Sequence, residues 1–112
     1  MMHELSLCQA IAAVVTPHAA GKRVTVVRVA LGALRQVVPD TLSFCWTLVR
    51  EHTDLGDAEL ELELIPAAVY CRRCERESVI ESRWSVACPG CQGVEVTIVA
   101  GEEFLVTSID VS

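Results

Sequence analysis

The sequence has no apolar run near the ~18 residues that a membrane-spanning helix requires. Its 112 residues carry a net charge of −6 and no excess of Lys and Arg. The first absence excludes a helical membrane span. The second argues against a sequence-independent grip on nucleic acid, which needs a net basic surface. A basic stretch is also missing at the N-terminus, where His3 and Glu4 stand, so no secretory signal is expected. There is no internal repeat beyond two cysteine pairs and no low-complexity segment. No nucleophile and base stand at a recognisable spacing, so the chain is not expected to be an enzyme. These features point to a cytoplasmic protein whose thiols stay reduced, in which six cysteines suggest metal or catalysis before disulfides. With 52% apolar and 21% charged residues, the composition is that of a packed domain, alone or with a small insert.

Periodicity predicts a helix over residues 4–16, with Leu5, Cys8, Ala12 and Val15 on one stripe and Ile11 beside it. Pro17 should end or kink it before Gly21 opens a loop. The β-branched run at 23–31 predicts a strand with Val27, Val29 and Leu31 on one face and Arg28 on the other. Pro39-Asp40-Thr41 reads as a helix start, with Leu42, Cys45, Trp46 and Val49 buried and an end near Thr53–Gly56. In 58–65, Leu60, Leu62 and Leu64 alternate with Glu59, Glu61 and Glu63, the mark of a strand with one buried and one wetted face. A last strand over 103–111 should place Leu105, Thr107, Ile109 and Val111 together. The expected architecture is α+β, with two helices packed on a three-stranded sheet. Residues 1–66 and 101–112 would form this domain, and 67–100 an inserted module.

That insert contains Cys71-x2-Cys74, then thirteen residues, then Cys88-x2-Cys91. Each pair forms a knuckle that turns two thiolates toward one point, and two knuckles complete a tetrahedron of sulfur around zinc. Four thiolates leave no open coordination position, so the zinc would be structural. The module's apolar residues are chiefly Val79, Ile80, Trp84, Val86, Val94 and Ile98, a core small enough to depend on metal. Iron suits four thiolates as well. A redox dithiol at Cys88-Pro-Gly-Cys91 is disfavoured by the second pair. A zinc ribbon that docks protein or nucleic acid is the alternative function. However, Arg72, Arg73, Arg76 and Arg83 are offset by Glu75, Glu77, Glu81 and Glu95. Cys8 and Cys45 fit core packing, and His18 and His52 have no partner at ligand spacing.

Met1-Met2-His3-Glu4-Leu5-Ser6-Leu7 is the second informative stretch. A histidine close to a free amine can wrap a metal in amine, deprotonated amide and imidazole nitrogens, and such flat nitrogen sites select nickel(II) or copper(II). From the residues alone, an ordinary chain start leading into a helix is the simpler account. The opening Met2-His3-Glu4-Leu5-Ser6-Leu7, the helix after it and the paired knuckles before a final strand resemble the HypA/HybF family over essentially the whole chain. That resemblance implies a nickel metallochaperone of nickel–iron hydrogenase maturation, with nickel carried in the helix-and-sheet domain and zinc in the knuckles. It implies nickel held by the His3 imidazole, the backbone nitrogens of His3 and Glu4 and the Met2 amine, with Asp40 at an acidic position that some members place nearby. It further implies a GTPase partner, a hydrogenase large-subunit precursor as recipient and, in some members, service to urease maturation. The family usually opens Met-His. With Met1 retained, His3 is third and an amine–amide–amide–imidazole ring becomes available instead.

Overall fold

A computed structural model describes residues 2–81 and 85–112, without the side chain of Met2. The elements are α1 (Met2–Ala19), β1 (Val24–Gly32), a 3-10 turn (Ala33–Arg35), α2 (Pro39–Arg50), β2 (Glu59–Ile65), β3 (Ala68–Cys71), β4 (Arg76–Val79), β5 (Val96–Ala100) and β6 (Phe104–Val111). They form two three-stranded sheets, ordered β2-β1-β6 and β4-β3-β5. The two helices and the first sheet are those expected from sequence; the second sheet was not foreseen. Among the described residues, no helix is long and apolar enough to cross a membrane. The chain divides into two compact units. One comprises Met1–Ala30, Val37–Glu63 and Leu105–Ser112, and the other Leu31–Gln36 and Leu64–Phe104.

In the first unit, α1 and α2 pack against each other. The buried stripe of α1 consists of Glu4, Cys8, Ile11, Ala12, Val15 and Ala19. It therefore begins one residue before the Leu5 expected from sequence, which is only half-buried. Pro17 does not end the helix, which runs on to Ala19. A proline in the last turn removes one donor where the ladder is already closing. Thr16 Oγ1 donates to the Ala12 carbonyl at 2.8 Å, and the His18 ring bonds the Val14 carbonyl at 2.9 Å. The chain then turns through Ala20 and Gly21, both with positive φ. In α2, Pro39 occupies the first turn and Leu42, Cys45, Trp46 and Val49 are buried, as the periodicity predicts. The helix stops at Arg50, short of the expected end. The Trp46 indole N–H and Arg50 Nη1 both donate to the Ala58 carbonyl, at 2.9 and 2.8 Å, tying α2 to the start of β2.

Backbone contacts from Arg23 to Ser112 and from Gly32 to Glu103 progress in opposite directions, so β1 and β6 run antiparallel. Val27, Val29 and Leu31 are buried on the face expected. On the other face, Arg28 donates to Glu61 and, through both terminal nitrogens, to Asp110. These bonds, the one to Asp110 first, raise the guanidinium's proton affinity further and hold the Asp110 carboxyl below its ordinary range. The glutamates of β2 are exposed as expected, but its leucine face is less buried than the alternation suggests. Leu60 and Leu62 are half-buried and Leu64 is 60% exposed. β2 is an edge strand with one neighbour, so its cover is partial. In β6, Ile109 is half-buried while Leu105 and Val111 are exposed.

In the second unit, β3 pairs antiparallel with β4 on one side and with β5 on the other. Its core is Ala67, Val69 and Ile80, flanked by Leu34, Val96 and Ile98. Of the core residues expected from sequence, Ile80 and Ile98 belong to it, whereas Val79, Val86 and Val94 are exposed. Trp84 lies outside the described residues. Two glycines allow close backbone approach. A Cβ on Gly32 would stand 2.1 Å from the Gly101 carbonyl oxygen, and one on Gly101, at φ +110, would stand 2.7 Å from Ala67 Cα. Gly32 also donates its N–H to Glu103 O, and Leu34 donates to Gly101 O, both at 2.7 Å.

Replacing Gly32 with alanine forces two backbone segments apart. Gly32→Ala is expected to destabilise the chain by about 2–4 kcal/mol in urea unfolding. Gly56→Ala, whose added Cβ meets nothing within 4 Å, should leave the midpoint nearly unchanged.

Candidate metal centres

Cys71 closes β3, and Cys74 lies in the turn leading to β4. In each knuckle the residue after the second cysteine donates its N–H to the first cysteine's carbonyl: Glu75 to Cys71 at 2.8 Å and Gln92 to Cys88 at 2.7 Å. Glu75 and Gln92 both adopt positive φ, 55° and 59°, so the two knuckles share one backbone path. That path aims both thiols of a pair to the same side. The Cys74 N–H points at Cys71 Sγ and the Gly93 N–H at Cys91 Sγ, each at 3.4 Å.

The four sulfurs lie within 4.8 Å of one another. Cys71 and Cys91 Sγ are 3.7 Å apart, and Cys74 and Cys88 Sγ 3.9 Å. A disulfide needs about 2.05 Å, whereas tetrahedral zinc with Zn–S bonds of about 2.3 Å sets its sulfurs about 3.8 Å apart. The observed spacings match the second value, and the cluster fits zinc-ribbon knuckles. Cys71 and Cys88 are buried, and Cys74 and Cys91 half-exposed.

The thiols share protons unequally. Hydrogen bonds from the backbone N–H groups of Cys91 and Gly90 bring the Cys88 thiol down to about 7. The Cys74 thiol is pushed up to about 12, first by its hydrogen bond to Cys91 and then by that to Cys88. The Cys88 thiolate is thus within reach near neutrality, whereas Cys74 would lose its proton to a metal. Gly90 and Gly93 admit two cationic side chains over the second knuckle. A Cβ on Gly90 would stand 2.8 Å from Arg76 Nη2, and one on Gly93 3.5 Å from Arg73 Cδ.

At the other candidate centre, His3 is exposed in the first turn of α1 and Asp40 is exposed in the first turn of α2. The first four N–H groups of an α-helix have no partner within it, so the backbone nitrogens of His3 and Glu4 lie outside the helical ladder. Glu4 is buried, at 7% exposure. Its carboxyl is held below the ordinary range for glutamate, first by hydrogen bonding to its own backbone N–H. Among the described residues, the cysteine quartet is the only group of three or more side-chain ligands close enough for one metal, so His3, Glu4 and Asp40 form no side-chain triad. The burial of Glu4 was missed from sequence, although it stands four residues before Cys8 in the phase of the α1 stripe. Cys8 and Cys45 are both buried. Cys8 donates to the Leu42 carbonyl at 3.3 Å, and burial pushes its thiol up to about 12.

Residues 2–111 match the family model described as hydrogenase/urease nickel incorporation, metallochaperone, hypA. A hydrogenase maturation factor HypA of Geotalea uraniireducens is 36% identical over 98% of this chain and 99% of its own length. One from a Geobacter species is 37% identical over 97% and 98%, respectively. Among solved structures, the solution structure of the Ni metallochaperone HypA from Helicobacter pylori aligns with a TM-score of 0.69 at 20% identity, over 96% of each chain. A second HypA solution structure aligns with a TM-score of 0.71 at 21% identity, over all of this chain and 98% of that one. At these identities the structures establish the fold.

If the quartet holds zinc, the chain should contain one zinc atom per molecule by elemental analysis. Cys91→Ala should lose it, and residues 67–100 should then become the first segment cut in limited proteolysis. Zinc retained at one per chain in that variant would show that the quartet is not the site.

Proposed function

Because the chain belongs to the HypA family of hydrogenase/urease nickel-incorporation metallochaperones, we propose that it captures nickel(II) at its N-terminus and delivers it during maturation of nickel–iron hydrogenase. The observation behind this reading is the exposed His3 imidazole on a first helical turn whose backbone nitrogens have no ladder partners. Imidazole and neighbouring main-chain nitrogens form the flat, nitrogen-rich set that selects nickel(II) over zinc. The ligands are the His3 side chain, the nitrogens of His3 and Glu4 and the amine of Met2. Asp40, exposed on α2, is available as a further oxygen donor. With Met1 retained, its amine and the amides of Met2 and His3 would complete the ring instead.

Zinc is structural in this reading. It is held by Cys71, Cys74, Cys88 and Cys91, all four positions filled by thiolate. The two roles divide between the domain of residues 1–66 and 101–112, which carries nickel, and the insert of 67–100, which carries zinc. The protein works without catalysis, passing nickel by ligand exchange to a maturation GTPase and a hydrogenase large-subunit precursor, with urease maturation proteins as further clients. An exposed site suits a carrier, since the receiving ligands must reach the metal before the donor lets go. We assign it to the cytoplasm, where the four thiols stay reduced.

His3→Ala should abolish stoichiometric nickel binding in a titration while zinc content and folding stay unchanged. A variant that still binds one nickel with unaltered affinity would overturn the N-terminal site. Histidine and amide nitrogens must lose protons to bind, so nickel affinity should fall as the solution is acidified. Zinc alone after nickel exposure of the unaltered chain would favour a zinc-ribbon interaction module.

A further inference from the structure

The two knuckles repeat one another position by position: Cys71, Cys74 and Glu75 correspond to Cys88, Cys91 and Gln92 in both spacing and backbone path. On that alignment Arg73 corresponds to Gly90, and Arg76 to Gly93. Where the first knuckle carries two long cationic side chains, the second carries none. Neither glycine has the positive φ that favours glycine, so backbone conformation does not call for them. Room does. The space a side chain on Gly90 would need is taken by Arg76, whose Nη2 lies 2.8 Å from an ideal Cβ there. The space at Gly93 is taken by Arg73, whose Nη1 lies 3.7 Å from an ideal Cβ at that position. Each arginine therefore fills the room at the other's counterpart.

Both of these positions adjoin sulfur. The Cβ at Gly90 would stand 3.7 Å from Cys88 Sγ, and the one at Gly93 3.2 Å from Cys91 Sγ. Arg72, between the cysteines of the first knuckle, turns instead to Thr97 Oγ1 on β5 at 3.5 Å. Arg73 and Arg76 are exposed, and among the described residues neither is paired with a carboxylate. We propose that Arg73 and Arg76 form a cationic clasp, reaching from the first knuckle across the second, that slows the loss of zinc from the quartet. This rests on the structural-zinc reading above and deepens it. Four thiolates around one divalent cation leave net negative charge, and guanidiniums, which stay protonated, offset it. Arg73 also lies beside Cys91, one of the two half-exposed sulfurs open to a competing ligand.

The zinc-loaded full chain is mixed with excess pyridylazoresorcinol, a chromogenic zinc chelator. Release is followed at low salt and at about 1 M salt, where the screening length falls to about 3 Å. The double variant Arg73→Gln, Arg76→Gln should release zinc about tenfold faster at low salt, within what two exposed charge contacts together supply. Lysine at both positions should restore most of the delay. Salt should speed release from the unaltered chain and barely affect the glutamine variant. Release at the unaltered rate overturns the clasp. So does faster release that keeps its salt dependence or that lysine does not slow. Gly90→Ala tests the crossing, since its Cβ displaces Arg76. It should speed release by about threefold with Arg76 present, and change nothing beside Arg76→Gln. Equal effects in the two backgrounds overturn the proposal. An unaltered chain that carries no zinc overturns the zinc reading itself, so the two failures are distinct.

Discussion

Four sulfur atoms within 4.8 Å of one another are the constraint on which the second unit depends. Its buried core is Ala67, Val69 and Ile80, far too little apolar surface to hold three short strands and two knuckles in place. The knuckles converge because each repeats the same carbonyl-to-amide bond and the same left-handed residue, at Glu75 and Gln92. The geometry sets Cys88 and Cys74 apart, with backbone N–H groups lowering the Cys88 thiol and sulfur neighbours raising that of Cys74. A divalent cation would draw all four sulfurs to one point. Apparent zinc binding on the order of 10–16 kcal/mol exceeds anything the three-residue core can supply.

The closed quartet and the open N-terminus therefore suit opposite tasks. A site whose four positions are all thiolate offers no vacancy through which a recipient could begin an exchange, and two of its sulfurs belong to buried residues. His3 is exposed, and the nitrogens beside it sit on the least constrained turn of α1. An incoming ligand can replace such donors one at a time. In the proposed reading, the most prominent feature of the sequence is the scaffold, and the quieter one is where cargo would be exchanged.

Much of this was legible because it is local. The α2 stripe, the Pro39 start, the Val27–Val29–Leu31 face and the cysteine pairs each follow from spacings within one element or knuckle, and the structure reproduces them. Features set by neighbours were not legible. Leu64 has the alternation of a buried residue, but β2 lies at a sheet edge and leaves it exposed. Val79 and Val94 look like core and face solvent, whereas Leu34, distant in sequence, packs against that core. The strands of the second unit are four or five residues long, too short for a period to declare itself. Pro17 remains inside α1, since it lies in the last turn and forfeits a single ladder donor.

Glu4 joins these themes, since nothing local says that a glutamate should be buried. Its neighbours His3 and Leu5 are exposed and half-buried, respectively, so position 4 alone points into the seam. A leucine there would bury more apolar surface and need no polar partner, whereas a buried carboxylate must be met by donors or charge. The head of the α1 stripe is therefore polar where the rest of it is apolar.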